Sequence, residues 1–465
     1  MKILEVEIRD THKNLTKQVS DQIRSLIQRK IINPGEKLPS LRSLANQTGL
    51  HYQTLKNAID DLISEGWVES KERVGYFVSL EIPTGFYQST KENIEKLKPF
   101  NFKPHFDLEL PNFSPKQKLL YNFQSGLPDL RLLPAKELKV LYSDAISSNH
   151  LFGYSDPLGL PALRESMTRY LARVRHIQDK PIIITNGSQE ALYMISRILL
   201  KKGDRVLMED CSYAVALNTF KTCGANIEKI KNDFSIRELE NKLKSASIKA
   251  IFLTPLHHFP TCSSINAPKR LQIYELCVKY QVFIIEDDYD HEIHFRPPLS
   301  PLASLDSRDQ VIYLSTFSKA LFPGLRVGFM ALPKSLEKYV REYRRLTTHQ
   351  NEILSQIVMN RFIESGGFEK HLRKCRRVYL QRRDIMVQEL SQKFSFDIPD
   401  GGLALWVDTH QDSEKLHKRA LSKGVFVTPE CQYNGGKKGT HLRLGFSNQN
   451  EEEIKQGLKL LKKLL

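Results

Sequence analysis

At 465 residues the chain is too long for one ordinary domain, and 40% hydrophobic with 26% charged residues is the balance of folded globular domains, which excludes a low-complexity or disordered chain. No apolar stretch approaches the ~20 residues of a membrane helix and the opening MKILEVEIRD lacks an apolar leader core, so the sequence predicts a cytoplasmic protein with no membrane contact. Lys plus Arg (69) exceeds Asp plus Glu (53) by 16, which points to an anionic partner such as nucleic acid, phosphate or carboxylate, and six scattered cysteines with no zinc spacing read as reduced thiols.

From residue 16 to 31, Val19, Ile23, Leu26, Ile27 and Ile31 follow helical spacing, with Thr16 placed to cap. Asn33-Pro34-Gly35 breaks that helix. A short helix from Leu41 to Gln47 follows, capped by Ser40 after Pro39, and Gly49 marks the turn into a third helix with Leu55, Ala58, Ile59 and Leu62 on one face. Beyond Gly66, the runs Trp67-Val68 and Tyr76-Phe77-Val78 around a polar turn read as a hairpin, which would make a wing. The predicted organisation is a head over residues 1–79, a linker over 80–118 rich in Pro and Lys, and a body over 119–465. The linker pattern also suits an extended arm packed on the body.

In the body, the apolar runs at Ile182-Ile183-Ile184, Val206-Leu207-Met208, Ala250-Ile251-Phe252-Leu253, Val282-Phe283-Ile284-Ile285 and Val311-Ile312-Tyr313-Leu314 alternate with helical patterns. Runs apolar on both faces predict an α/β fold with a mainly parallel sheet covered by helices. Each run ends in a polar or glycine-bearing stretch, and in open α/β sheets ligands bind beyond the carboxyl ends of the strands. Helical patterns dominate from about Arg341, and runs at 403–407 and 442–444 suggest strands of a smaller C-terminal lobe.

A helix-turn-helix presents the start of its second helix to base edges, which makes His51, Tyr52, Gln53, Thr54 and Lys56 candidates for groove contact and Arg42 a candidate for phosphate or base contact. A winged helix that binds protein instead has the same periodicity. Residues 16–78 resemble the winged helix of GntR-type bacterial transcription regulators through the string Pro34-Gly35-Glu36-Lys37-Leu38-Pro39-Ser40-Leu41-Arg42-Ser43-Leu44-Ala45 and the wing end Gly75-Tyr76-Phe77-Val78. The resemblance implies DNA binding, with Ser40 and Gly75 joining the six residues above. His51-Tyr52 stands where that family usually has Ser-Arg, so its usual arginine contact is absent.

A lysine that forms a Schiff base must be desolvated and fixed in a loop between buried elements, and Lys319, in Ser315-Thr316-Phe317-Ser318-Lys319, follows a buried strand. Pyridoxal phosphate also needs a carboxylate at its ring nitrogen, an anion cradle and an aromatic face. Asp287 at a strand end, Gly187-Ser188-Gln189 opening a helix, Tyr213 and Arg326 suit those tasks, although each alone suits a solvated turn or cap equally well. In order along the chain they resemble fold-type I aminotransferases of the aspartate aminotransferase class, together with Gly153-Tyr154-Ser155-Asp156-Pro157-Leu158-Gly159, Glu286-Asp287-Asp288-Tyr289-Asp290 and His441-Leu442-Arg443-Leu444-Gly445. The resemblance implies that Lys319 carries pyridoxal 5'-phosphate as a Schiff base, Asp287 pairs with the ring nitrogen and Tyr289 bonds the ring hydroxyl. It implies further that Tyr213 stacks on the ring, while Ser188, Gln189, Thr316 and Arg326 hold the phosphate. Tyr154 is expected to reach the phosphate of a neighbouring subunit, hence a homodimer, and Arg443 to grip an effector carboxylate.

Three substitutions depart from that pattern, and two further features compete with it. Phe259 replaces an asparagine, removing an amide contact to the ring hydroxyl; Cys262 replaces a glycine; and Cys211-Ser212 replaces Pro-Gly before Tyr213. His257-His258 lacks ligand-spaced partners, so no metal is expected. The basic run from Lys370 to Arg377, extended by Arg382 and Arg383, suits a solvated helix face better than a DNA contact.

A GntR-type head on an aminotransferase-like body is the arrangement of the MocR family of regulators. The sequence therefore predicts a transcription factor rather than an enzyme, sensing pyridoxal 5'-phosphate or an amino compound that reacts at Lys319. Its expected partners are an operator of double-stranded DNA with two half-sites and an amino-acid or amine effector. The alternatives are an active aminotransferase with a regulatory head and a repressor whose vestigial pocket binds no cofactor.

Overall fold

The structure, a computed structural model, describes residues 14–83, 119–148, 152–391 and 393–464. The chain divides into two compact units, residues 1–105 and 106–465. The expected linker lies outside the described residues from 84 to 118.

In the first unit, α1 (Leu15–Gln28), α2 (Leu41–Thr48) and α3 (Tyr52–Ser64) close over a core that includes Val19, Ile23, Leu44, Leu55, Ile59 and Trp67. The expected cap at Thr16 is corrected: Thr16 lies inside α1, and Asn14 caps it by accepting from the Lys17 amide at 3.2 Å. The helix also ends three residues before Ile31, because the Ile31 and Ile32 amides both turn back to the Leu26 carbonyl. Ser40 Oγ accepts from the Ser43 amide at 3.1 Å, and Gly49 takes a left-handed φ of 69° that lets the chain turn sharply into α3. Then β1 (Val68–Lys71) and β2 (Gly75–Val78) pair antiparallel, with Lys71 opposite Gly75.

The first strand among the described residues of the second unit is β3 (Tyr121–Asn122). Its large sheet holds β4 (Ile182–Thr185), β5 (Arg205–Glu209), β6 (Asn226–Ile230), β7 (Ile248–Leu253), β8 (Phe283–Asp287), β9 (Val311–Thr316) and β10 (Gly328–Ala331). The order is β4-β10-β9-β8-β7-β5-β6, and β10 alone runs antiparallel to its neighbours. Two apolar clusters cover the two faces of this sheet, which is why its central strands read as unbroken apolar runs. β6 and β10 lie outside the sequence expectation. Asn226-Ile227-Glu228-Lys229-Ile230 is an edge strand with polar side chains between its apolar ones, and β10 is only four residues long.

In the smaller lobe, β11 (Ala404–Asp408), β13 (Thr428–Pro429) and β14 (His441–Gly445) form a sheet ordered β11-β14-β13, while β12 (Val425–Phe426) pairs in parallel with β3. The start of the unit is therefore built into its C-terminal lobe, where Phe123 packs with Leu405, Leu444 and Leu458.

The basic run is corrected in part. It lies on the helix Gly367–Leu390, where Lys370, Arg373, Lys374 and Arg377 face solvent, but His371, Cys375 and Arg382 are buried and Arg382 pairs with Asp129 at 2.9 Å. Among the described residues no helix is long and apolar enough to cross a membrane.

Candidate functional site

The loops beyond the carboxyl ends of β4, β5, β7, β8 and β9 converge, as the open-sheet rule requires, on a cavity of about 350 Å³. Its walls include nine sequence-predicted residues: Ser188, Gln189, Tyr213, Asp287, Tyr289, Thr316, Lys319, Arg326 and Arg443. Tyr154 is not among them; it is 87% exposed, with its ring edge-on to His349 at 4.9 Å.

Lys319 sits on the turn after β9, and its Nζ donates to the Gly126 carbonyl at 2.9 Å. Burial lowers its pKa, opposed by Asp290 and Asp287 and assisted by Arg443 and Arg326. A buried amine with a lowered pKa has a larger nucleophilic fraction at neutral pH. Asp287 ends β8. Burial, then the neighbouring Asp288 and Asp290 carboxylates, push its carboxyl up to about 7, and its Oδ1 has no hydrogen-bond partner. Lys319 opposes that rise only in part, so the buried carboxyl is left with an oxygen that no donor satisfies.

The helix Ser188–Leu199 begins at Gly187 (φ 85°) with no side chain capping it, so its first amides are left for an anion. Arg326 stands across from it. Its Nη2 donates to the Asn186 carbonyl, and a Cβ on Gly187 would lie 3.0 Å from that nitrogen. Gly328 backs the same corner, where a Cβ would come within 2.6 Å of Gly187 Cα. Thr316 Oγ1 donates to Ser318 Oγ at 2.9 Å and accepts from the Ser318 amide at 3.2 Å, so both hydroxyls line the cradle. The Gln189 side chain is turned to Thr219 Oγ1 at 2.9 Å, which leaves its backbone as the part directed at the anion position.

The other walls are aromatic. Phe259 is edge-on to Tyr213, Tyr289 and Tyr433 at 5.5, 5.8 and 5.3 Å between centroids, and burial pushes the Tyr213 hydroxyl up to about 12. The Tyr289 hydroxyl donates to the His257 carbonyl at 3.3 Å. The Arg443 guanidinium lies over the Phe259 ring at 4.5 Å. Its Nη1 donates to the Pro260 carbonyl and meets Cys262 Sγ at 3.2 Å, its Nη2 reaches the Tyr289 hydroxyl at 3.4 Å, and its Nε has no partner. His257 and His258 each meet a carboxylate, Asp290 at 2.8 Å and Glu209 at 3.0 Å.

Gly126, Ser318, Asp290 and Tyr433 were not assigned from the sequence. Ser318 lies inside the string that singled out Lys319, and Asp290 closes the Glu286–Asp290 string, so both carried a signal. Gly126 and Tyr433 come from irregular segments with none.

In the head, Arg42, His51, Tyr52, Gln53 and Lys56 are exposed and Thr54 half-buried. His51 Nδ1 accepts from the Gln53 amide at 3.3 Å and so caps α3, while Gln53 Nε2 donates to Asn57 at 2.9 Å. At the wing, Lys71 lies over the Phe77 ring at 4.7 Å and Lys37 at 5.8 Å, beside Gly75. These two cations add to the surface expected from the sequence.

Comparison with known proteins agrees with this geometry. The model for aminotransferase class I and II matches residues 120–461, and that for bacterial regulatory proteins of the gntR family matches residues 15–78. The chain belongs to the class I and II aminotransferase family. Joined to the gntR-family head, this family domain gives the composition of MocR-type regulators. The chain is 26% identical to the probable rhizopine catabolism regulatory protein MocR of Rhizobium meliloti over 98% of this chain and 94% of that protein. It is 31% identical to an uncharacterized aminotransferase of Saccharolobus solfataricus over 74% of this chain and 91% of that one. Among solved structures, kynurenine aminotransferase of Pyrococcus horikoshii superposes with a TM-score of 0.70 at 29% identity, covering 75% of this chain and 91% of that chain. The class I and II family domain thus carries the cavity, and the gntR-family domain carries the exposed face of α3.

Proposed function

We propose that the chain is a DNA-binding transcriptional regulator whose body binds pyridoxal 5'-phosphate at Lys319 and responds to the cofactor or to an amino compound. The observation that carries this reading is the meeting of Lys319 with Asp287, whose buried Oδ1 has no hydrogen-bond partner, in one cavity, in a chain whose head is of the gntR family. The residues fit the cofactor. Asp287 supplies the missing half of a pair with a cationic ring nitrogen, and the uncapped helix start with Arg326, Thr316 and Ser318 suits a phosphate. Tyr213 supplies a ring face and Tyr289 a hydroxyl.

When bound, the cofactor supplies an aldehyde that condenses with primary amines on a ring that draws electrons from the new bond. The chain's own residues orient and desolvate it: Arg443 holds an effector carboxylate once the Pro260 carbonyl gives way, and the aromatic wall excludes water. Tyr154, exposed and outside its own cavity, serves the partner subunit of a homodimer. On this reading the two heads of the dimer meet two half-sites through α3 and the wing, in a cytoplasmic protein.

Absorbance of the purified protein with added pyridoxal phosphate, before and after Lys319→Ala, tests the assignment. With unbound cofactor removed, the wild type should keep a visible band that borohydride abolishes while leaving the cofactor fixed to Lys319, and the variant should show neither the band nor the fixed cofactor. A Lys319→Ala protein with an unchanged band would refute it.

A second reading, a working aminotransferase with a regulatory head, is favoured by the full set of amine-, ring- and phosphate-facing residues in the cavity. Turnover of an amino acid with a keto acid at about 1 per second or faster would establish it.

A further inference from the structure

The helix Lys334–Thr347 buries Leu336, Val340 and Arg344 along one stripe. Leu336 and Val340 share an apolar cluster with Leu192 and Ile195 of the helix Ser188–Leu199, so a third apolar residue is what the spacing calls for. Position 344 holds an arginine instead. Its side chain is fully buried, its Nη2 donates to Glu190 Oε2 at 3.5 Å, and its Nε and Nη1 have no hydrogen-bond partner among the described residues. A buried guanidinium with unsatisfied donors costs stability. Hydrogen bonds do not offset that cost, so what Arg344 contributes is its charge, and the charge falls on Glu190.

Glu190 lies in the first turn of the helix that would hold the phosphate. It reaches back along the chain: Oε2 accepts from the Asn186 amide at 2.6 Å and Oε1 from Asn186 Nδ2 at 3.2 Å, while Asn351 Nδ2 donates to Oε2 at 3.0 Å. Each of these bonds comes from an N–H group, which suits a carboxylate. The Asn186 carbonyl in turn accepts from Arg326 Nη2. A carboxylate in a first turn is favoured by the positive end of the helix dipole, the same end that a phosphate needs. Two anions at one helix start repel each other, and the Glu190 side chain, 21% exposed, is screened only in part by solvent. A buried cation against the carboxylate removes that conflict.

We propose that Arg344 is a positioning residue for the cofactor's phosphate: by cancelling the Glu190 carboxylate it lets one helix start hold both that carboxylate and a phosphate. Glu190 fixes the Gly187 turn through Asn186, and Arg344 keeps the same carboxylate from repelling the anion. The assignment rests on the phosphate cradle of the proposed function.

Titrations of the full-length, cofactor-free protein with pyridoxal phosphate and with pyridoxal, which carries a hydroxyl in place of the phosphate, give the phosphate preference as the ratio of the two affinities. Arg344→Met, apolar and of similar length, should lower that ratio by roughly tenfold, through the phosphorylated form. Adding Glu190→Gln, which removes the carboxylate charge and keeps a carbonyl acceptor for Asn186, should restore it. Glu190→Gln alone should raise the ratio above the wild type's, because the Arg344 charge is then uncancelled. A merely structural role would weaken both ligands alike and leave the ratio in place. An unchanged ratio in Arg344→Met, or no recovery in the double variant, overturns the proposal. If Arg344→Met does not fold, Glu190→Gln alone carries the test, and a ratio at or below the wild type's overturns it. A wild type that binds both ligands equally would instead refute the phosphate cradle of the functional reading.

Discussion

Lys319 Nζ donates to the carbonyl of Gly126 at 2.9 Å, which ties the proposed cofactor lysine to the segment that enters the body through β3. Gly126 has a φ of 76°, and a Cβ there would stand 3.2 Å from Lys319 Nζ. A side chain at this position both strains the backbone and crowds the amine. Gly126→Ala should therefore weaken pyridoxal phosphate binding by roughly tenfold, corresponding to about 1–2 kcal/mol of left-handed strain and displacement. Spectrophotometric titration measures this, and an unchanged affinity would show that the contact has no part in cofactor capture.

Asp287 gives a pH dependence with a definite sign. Burial raises its carboxyl from 3.8 to about 7 in the folded protein, so its contribution to stability is fully present below about pH 4 and is lost as the pH rises through 7. The loss has a ceiling of roughly 4 kcal/mol. Cofactor-free Asp287→Asn should melt above the wild type at pH 8, with the difference fading toward pH 4, while its affinity for pyridoxal phosphate falls. Thermal melts across pH decide the matter. A difference independent of pH would mean that the carboxyl is paired in the fold.

Cys262 stands in the left-handed region at φ 61°, where an L side chain costs about 1 kcal/mol, and its Sγ lies 3.2 Å from Arg443 Nη1. Cys262→Gly removes both the strain and the obstruction. Amines that carry a carboxylate should then bind several-fold more tightly, and amines without one should be unaffected, as read by calorimetry on the cofactor-loaded protein. An equal gain for both classes would place the effect in the fold rather than at Arg443.

Arg42, at the start of α2, is exposed, next to the cap that Ser40 provides. Arg42→Ala should leave the melting temperature unchanged while weakening DNA binding and lowering the salt slope by about 1. Ser40→Ala should instead destabilise the head by about 1 kcal/mol, through loss of the cap. Melts and binding isotherms on the two variants separate the roles, and a stability loss in Arg42→Ala would assign that arginine to the fold.

Much of this architecture was legible because its residues answer to local rules. β7, β8 and β9 are apolar on both faces, and Ser40, Gly49 and Gly187 sit where caps and turns require them. β6 is hidden by the polar residues of an edge, and Thr16 has a capping residue type but lies inside α1, while Asn14, two residues earlier, accepts from the Lys17 amide. Within the site, Lys319 and Asp287 lie at strand ends, and only their joint order along the chain, not either residue alone, marked them. The carbonyl of Gly126 and the ring of Tyr433 reach the cavity by tertiary packing from irregular segments, which no periodicity marks. Nor does spacing reveal that Arg443 is already engaged by the Pro260 carbonyl and Cys262, since those contacts join residues about 180 apart in the chain.

The most direct test of a cofactor-linked regulator is a mobility-shift titration of the full-length protein on the DNA immediately upstream of its own gene, at fixed salt, with and without pyridoxal phosphate. A switch of ordinary coupling strength, ~1–3 kcal/mol, predicts an affinity change of roughly 5- to 150-fold that Lys319→Ala abolishes. Identical affinity with and without the cofactor would contradict a direct response to it and leave an amino compound as the signal; absence of any DNA binding would contradict the regulator itself.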